Sequence, residues 1–436
     1  MAALSRRVGW RPVAAVVGIV FTVVVGVMML VRPDAEWAQV FVLASRQLWH
    51  GEDFYHPGTL YLYPPFGAVL GLIFVPLPEW GARLGFFAVN LAAIATIAMV
   101  SWRLAGGGTL GEPSRETRDD WTVVALGAVV AAPYAWNTVL HQQADLLIDA
   151  LVALGMLAAL RRRSLAAGIL IGLGAAIKGP PLLFVVYFLW RRDWRATAAL
   201  LVTVFGVSLL PDLVGRAPEG VWLGLWLKRI ILPAADVDTA LGAWATTTSF
   251  NISNQSLGGT IQRLVNSVLT REGGDLVIVA RPMLEARAMK LVTYGLMAAI
   301  GLVTFAVSAL AERRRAAIAP SVEAEREARA TELAIVPLLM LMFSLMSGLA
   351  HFPIVAPMAV LLARRAVSRP DRPAAVALGV ALVVAVAVNK DLVGRILYDA
   401  FLWSGVPTLG LIALWLGGLA LLLRPCAEPA AVLRPS

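Results

Sequence analysis

Apolar runs of 12 to 25 residues recur along the whole chain, broken by short clusters of arginine, glycine and proline. That spacing predicts an all-α polytopic membrane protein, since about 20 apolar residues cross the hydrocarbon core as a helix. A β-barrel would instead show weak alternation in segments of about ten residues.

The arginine clusters set the predicted sides, because cytoplasmic loops carry the excess of Lys and Arg. Arg6, Arg7 and Arg11 place the N-terminus inside. Arg161–Arg163, Arg191 with Arg192 and Arg195, Arg313–Arg315, and Arg364 with Arg365 also read as cytoplasmic. The run from Phe66 to Pro78 would reverse every later loop if it crossed. It is short and flanked by Pro64-Pro65 and Pro76-Leu77-Pro78, which stop helices, so it is placed at the outer surface. The result is twelve spans with both termini cytoplasmic: 12–32, 84–104, 120–136, 143–160, 164–177, 180–190, 196–213, 286–310, 332–349, 352–364, 373–389 and 405–423. The spans 164–177 and 180–190 are too short to cross upright at about 1.5 Å per residue. They predict a thinned bilayer or a water-filled outer cavity near Lys178.

Two long segments, 33–83 and 214–285, fall outside in a single membrane-embedded domain, 1–436. In the first, Trp37, Val40, Phe41, Ala44 and Leu48 recur at helical spacing opposite Gln39, Arg46 and Gln47, which predicts a helix lying in the interface. The second carries Trp222, Trp226, Lys228 and Arg229 before a polar patch, Thr246–Ser256. Loops of this length are functional or disordered, and the aromatic and basic anchors favour function. Glu312–Glu332 reads as a solvated helical connector.

Composition agrees: 59% of the 436 residues are hydrophobic and 15% charged. The net charge of +9 does not point to nucleic acid, because the basic residues sit at the ends of apolar runs rather than on one polar face. A lone cysteine, Cys426, excludes an intramolecular disulfide. The first apolar run is long for a signal peptide and lacks a small-residue cleavage site, so it reads as a retained helix. No phosphate-binding Walker loop, zinc-binding His-Glu-x-x-His or Cys/His cluster occurs. Neither metal nor cofactor is expected.

Sorted by predicted side, the outer face collects Asp34, Tyr63, His141, Gln142, Gln143, Asp145, Lys178, Asn254, Gln255, Ser256 and His351 from distant parts of the chain. Asp34 stands at the mouth of the first span, where a carboxylate is costly and marks a functional candidate; it could also merely end that helix. Asp145 suits either a binding role or the first turn of a helix, where a negative charge meets the dipole. Gln143 offers a neutral amide to a sugar hydroxyl or phosphate oxygen. Lys178 could snorkel, but Gly179-Pro180-Pro181 breaks the helix beside it and favours a fixed ammonium able to hold an anion. His351, between two apolar runs, reads equally as a buried, hydrogen-bonded side chain.

Taken in order, Asp34-Ala35-Glu36-Trp37 through Leu48, Gly51–Tyr55, Leu62–Phe66, Gln143–Leu147, Gly172–Leu183, Asn254–Leu257 and His351-Phe352-Pro353 resemble the C-type membrane glycosyltransferases. The similarity is to glycosyltransferase family 87, which includes actinobacterial mannosyltransferases of glycolipid assembly in the cell envelope. The resemblance implies a polyprenyl-phosphate-linked hexose donor, with mannose expected, and a lipid or glycan acceptor at the outer face of the plasma membrane. It also implies inverting transfer with Asp34 as general base. Tyr63, Gln143, Asp145, Lys178, Asn254, Gln255 and His351 would bind substrate. Two other classes remain open from the residues alone. A secondary transporter would pair its broken helices across two halves, whereas the breaks at 179–181 and 353–357 show no such pairing. A non-catalytic lipid-binding or assembly protein would keep the fold without needing Asp34.

Overall fold

A computed structural model describes residues 10–32, 35–108, 118–235, 251–318, 321–369 and 371–424. Asp34, the Thr246–Phe250 part of the polar patch and Cys426 lie outside the described residues.

The first apolar run forms α1, Trp10–Val31. A π-turn over Trp37–Val42 continues into α2, Leu43–His50. The proline-bracketed run is the short α3, Phe66–Leu70, followed by a 3-10 turn, Gly71–Phe74. The bundle then continues through α4 (Glu79–Leu104), α5 (Arg118–His141), α6 (Asp145–Leu160) and α7 (Ser164–Ile177). A 3-10 turn, Pro180–Leu183, leads into α8, Phe184–Trp190, and then α9, Trp194–Ser208. After the second long segment come α11 (Ala286–Ile318) and α12 (Val322–Phe343). A 3-10 segment, Leu349–Val355, then opens into α13, Ala356–Ser368. The chain finishes with α14 (Arg372–Ala387), α15 (Arg395–Trp403) and α16 (Val406–Leu423).

Each predicted span overlaps a helix or 3-10 turn of this series, with 332–349 running past the end of α12 at Phe343. Six among the described residues are long and apolar enough to cross a membrane: Glu79–Leu104, Asp119–His141, Trp194–Val214, Ala286–Ala317, Leu349–Ser368 and Val406–Leu423. The protein is an all-α polytopic membrane protein.

Two details depart from expectation. The apolar face of the Trp37–Leu48 stretch is not turned to lipid: Trp37, Phe41, Ala44 and Leu48 are buried inside the protein. Trp37 stacks on Phe86 of α4 at 3.8 Å between ring centroids, and protein aromatics supply the apolar partner that a bilayer surface would otherwise offer. The second departure is a β-hairpin, β1 (Ser267–Glu272) with β2 (Asp275–Ala280), following α10, Leu257–Asn266. Gly273 and Gly274 both have positive φ, 57° and 98°, as a two-residue loop with the native strand twist requires. As a two-stranded sheet, both strands are edges, and their outward backbone groups need water or other partners.

Helices α7 and α9 approach closely because Gly168 and Gly172 face α9. A Cβ at Gly168 would overlap the Ala196 carbonyl, and one at Gly172 would sit 2.8 Å from that of Leu200. Small residues one turn apart allow such packing where lipid gives no hydrophobic drive.

Candidate active site

The site forms where the outer-predicted ends of α1, α5, α6 and α7 meet the turn before α13. The end of α1 leaves backbone carbonyls without helical partners, and in an apolar setting these need donors. Arg83 of α4 donates to the carbonyls of Arg32 (2.5 Å) and Met29 (3.4 Å), and the Gln142 side-chain amide donates to Met29 at 3.1 Å. Gln142 also accepts the Trp37 N–H at 3.0 Å on its own carbonyl. Its φ of 50° lies in the left-handed region, which costs a non-glycine residue about 1 kcal/mol. That turn lets α5 end and α6 begin within three residues. The described chain on both sides of Asp34 is thus tied to one residue.

Glu36 accepts a hydrogen bond from the Tyr63 hydroxyl, and Gln143 also donates to it. Burial holds the Glu36 carboxyl above the usual carboxylate range, opposed by the Tyr63 hydroxyl and then by the Lys178 charge. Tyr63 is held well above the normal phenol range by burial and then by the Glu36 carboxylate, so it remains a donor. The Gln143 Oε1 is buried with no partner among the described residues. Such an acceptor needs a hydroxyl or water.

Lys178 ends α7 in extended conformation, because Gly179-Pro180-Pro181 cannot continue the helix. Its ammonium donates to Asp145 Oδ1 at 2.8 Å and lies 2.8 Å from His351 Nε2. It also sits 5.6 Å from the centre of the Tyr63 ring, within cation–π range. Asp145 is buried in the first turn of α6, and His351 Nε2 stands 3.8 Å from its Oδ2. Asp149, one turn further along α6, is also buried and takes the Ile354 N–H.

Tyr63, Gln143, Asp145, Lys178 and His351 therefore converge from four separate segments. Asn254 and Gln255 are buried beside the loop that precedes His351. Asn254 binds the backbone of Leu345 (3.2 Å) and Ser347 (3.1 Å), and Gln255 donates to Leu402 at 2.8 Å. Ser256 caps α10, accepting the Gly259 N–H at 3.1 Å. Sequence reasoning missed Glu36, Arg83 and Asp149 as site residues, and it gathered Gln142 at the outer face without giving it a role. The one cue for Glu36 was its place two residues past Asp34, which does not by itself mark it. Among the described residues no group of three or more His, Cys, Asp or Glu side chains is arranged to hold a metal.

In this helical membrane bundle, carboxylates, an ammonium, an amide and an imidazole gather at one end. The profile of glycosyltransferase family 87 matches residues 61–344, and the chain belongs to that family. It is a membrane member of that family. Two relatives, both named alpha-(1->3)-arabinofuranosyltransferase, come from Mycobacterium tuberculosis strains CDC 1551 and H37Rv. Each is 32% identical over 184 residues, a stretch covering 39% of this chain and 39% of the relative. The chain thus matches well under half the length of those relatives. No solved structure gives a significant match.

Proposed function

We propose that this glycosyltransferase moves a sugar from a polyprenyl-phosphate donor to a lipid or glycan acceptor at the outer membrane face, with inversion. The observation that supports this reading best is the convergence of Lys178, His351, Asp145, Gln143, Tyr63 and Glu36 beside the end of α1. An anion site and a hydroxyl-binding site are side by side there.

Asp34 takes the proton of the acceptor hydroxyl as its oxygen attacks the anomeric carbon. The bond from that carbon to the phosphate oxygen breaks, and its electron pair leaves on the lipid phosphate. A phosphate is already a good leaving group, so no general acid is required. Lys178 and His351 stabilise the charge that develops there. Gln143 Oε1 and Asp145 orient sugar hydroxyls, while Tyr63 holds Glu36 at the rim. Asn254 and Gln255 support the segment that carries His351.

For the sugar, mannose follows from the sequence resemblance, and the arabinofuranosyltransferase relatives favour a lipid-linked arabinofuranose as the second reading. The test incubates purified full-length protein and D34N with radiolabelled polyprenyl-phosphate mannose or polyprenyl-phosphate arabinofuranose plus membrane lipid extract. Label should pass from one donor with wild type and not with D34N. Equal transfer by both proteins would end the assignment of Asp34, and transfer from neither donor would end the lipid-phosphate reading.

A further inference from the structure

Side chains alternate across a strand, so the register of β1 on β2 fixes two faces. Val268 pairs with Val279 and Thr270 with Val277, which puts these four on one face; Leu269, Leu276 and Ile278 share the other. A hairpin with one face in water carries polar residues there. Here the more exposed face bears valines. Val277 is 37% exposed and Val279 39%, while Leu269, Leu276 and Ile278 are half-buried and β2 lies beside α15. The charges gather instead at the tip, in Arg271, Glu272 and Asp275, and beyond the root at Arg281. A two-stranded hairpin standing alone in water is marginal at best, and this one is apolar on both faces.

We infer that the hairpin, with the adjoining α15, is a bilayer-surface contact: its valine face rests in the lipid headgroup layer at the site end of the bundle. The occupant of that face follows from where the hairpin is rooted. Asn266 Oδ1 accepts the Met283 and Leu284 N–H groups at 2.9 and 3.0 Å, and its Nδ2 donates to the Leu284 carbonyl at 3.1 Å. The Arg281 N–H donates to the Asn266 carbonyl at 2.8 Å. The hairpin thus closes directly onto the start of α11, which is long and apolar enough to cross a membrane and whose Leu291 is 76% exposed. Met283, between the root and α11, is 72% exposed. On the other side, Trp403 Nε1 donates to Ser267 Oγ at 3.2 Å. Trp403 ends α15, just before α16, a second helix of spanning length, and Ile396 and Leu397 of α15 are exposed. Two membrane helices therefore begin at the hairpin root, with exposed apolar side chains around it. Asn254, just before α10, binds the loop that leads to His351, which places all of this at the site end.

The backbone sets the depth. Both strands are edges, and hydrocarbon would leave their outward N–H and C=O groups unsatisfied, whereas the hydrated headgroup layer satisfies them. Only the valine side chains reach the acyl boundary, as the apolar face of an interfacial helix does.

The test measures depth. With Cys426 replaced by serine, full-length protein carries a nitroxide on a single introduced cysteine, V277C, V279C, D275C or L291C. Each variant is placed in nanodiscs of phosphatidylethanolamine and phosphatidylglycerol. Oxygen, which concentrates in lipid, and a nickel chelate, which stays in water, are compared as relaxants of the label. The oxygen-to-nickel ratio at V277C and V279C should be shifted above that of D275C at the tip and lie below that of L291C on α11. A ratio equal to that of D275C leaves the face in water and overturns the inference. Low access to both relaxants also overturns it, because the face is then covered by protein, either another part of this chain or a second copy. A ratio matching L291C sinks the strands into hydrocarbon and overturns the headgroup placement. V277C and V279C report on the same face, so either one decides the matter should the other not fold.

Discussion

Gln142 and Trp37 are joined by a 3.0 Å hydrogen bond from the Trp37 N–H to the Gln142 carbonyl, while the Gln142 side chain donates to Met29 at 3.1 Å. One residue in a turn between two helices therefore grips the chain before and after Asp34. With Arg83 on the Arg32 carbonyl, it sets where α1 releases the chain.

On the proposed mechanism, that grip makes Arg83 and Gln142 positioning residues for Asp34. R83M and Q142L should each lower kcat by roughly tenfold or more, because small misplacements of a catalytic group are costly. Donor KM should change little. Steady-state transfer assays separate the two constants, and a pure KM effect would place these residues in donor binding instead.

On the proposed mechanism, D34N removes the acceptor-proton base while keeping side-chain volume. Turnover should fall roughly 10²- to 10⁴-fold, with an unchanged thermal midpoint in detergent. An equal loss of stability would mean that the variant reports on folding.

Lys178 and Asp145 are a buried ion pair at 2.8 Å. Removing one partner strands a buried charge, at a cost of about 3–5 kcal/mol. K178M and D145N should each be destabilised, and the K178M/D145N double variant should recover much of that loss while remaining inactive. Denaturation of all four proteins forms the double-mutant cycle. Additive losses would show that the pair is not coupled.

For Glu36 the sign follows from a carboxyl pKa raised, mainly by burial, above its ordinary 4.5. The folded state holds that proton more tightly than the unfolded chain, so the group favours folding at low pH. This contribution is lost as pH rises through the raised folded value. E36Q stays neutral throughout. It should match wild type below about pH 4 and become progressively more stable than wild type toward neutrality. Melting curves across that range would show the divergence; parallel curves would contradict it.

Packing between α7 and α9 gives a test remote from the site. G168L forces a side chain against the Ala196 carbonyl and should cost about 1–3 kcal/mol by overpacking. Nothing lies within 4 Å of a Cβ at Gly206, so G206A should be close to neutral. Thermal unfolding of the two variants makes the comparison.

The helical series was legible because lipid imposes a length and an apolarity that show directly in composition, and because arginine clusters and Pro-Pro breaks punctuate it. The β-hairpin was legible in principle from Glu272-Gly273-Gly274-Asp275, but its flanking strands are too short and mixed to stand out. Lys178 could be picked out by the glycine and prolines around it. Glu36 could not, since its interest comes from Tyr63, 27 residues later, and from Gln143 across the bundle. The buried face of Trp37, Phe41 and Leu48 looks the same in sequence whether lipid or protein covers it.

By itself, then, the sequence determined the all-α membrane class, the order of the helices and the polar residues worth watching, because each depends on local spacing and hydropathy. Only the tertiary structure decided which of those polar residues meet. It set Lys178 between Asp145 and His351, turned Gly348 toward one nitrogen of the imidazole, and tied both flanks of Asp34 to Gln142. Hydrogen bonds act over about 3 Å, and no pattern along the chain encodes distances that short between residues tens or hundreds of positions apart.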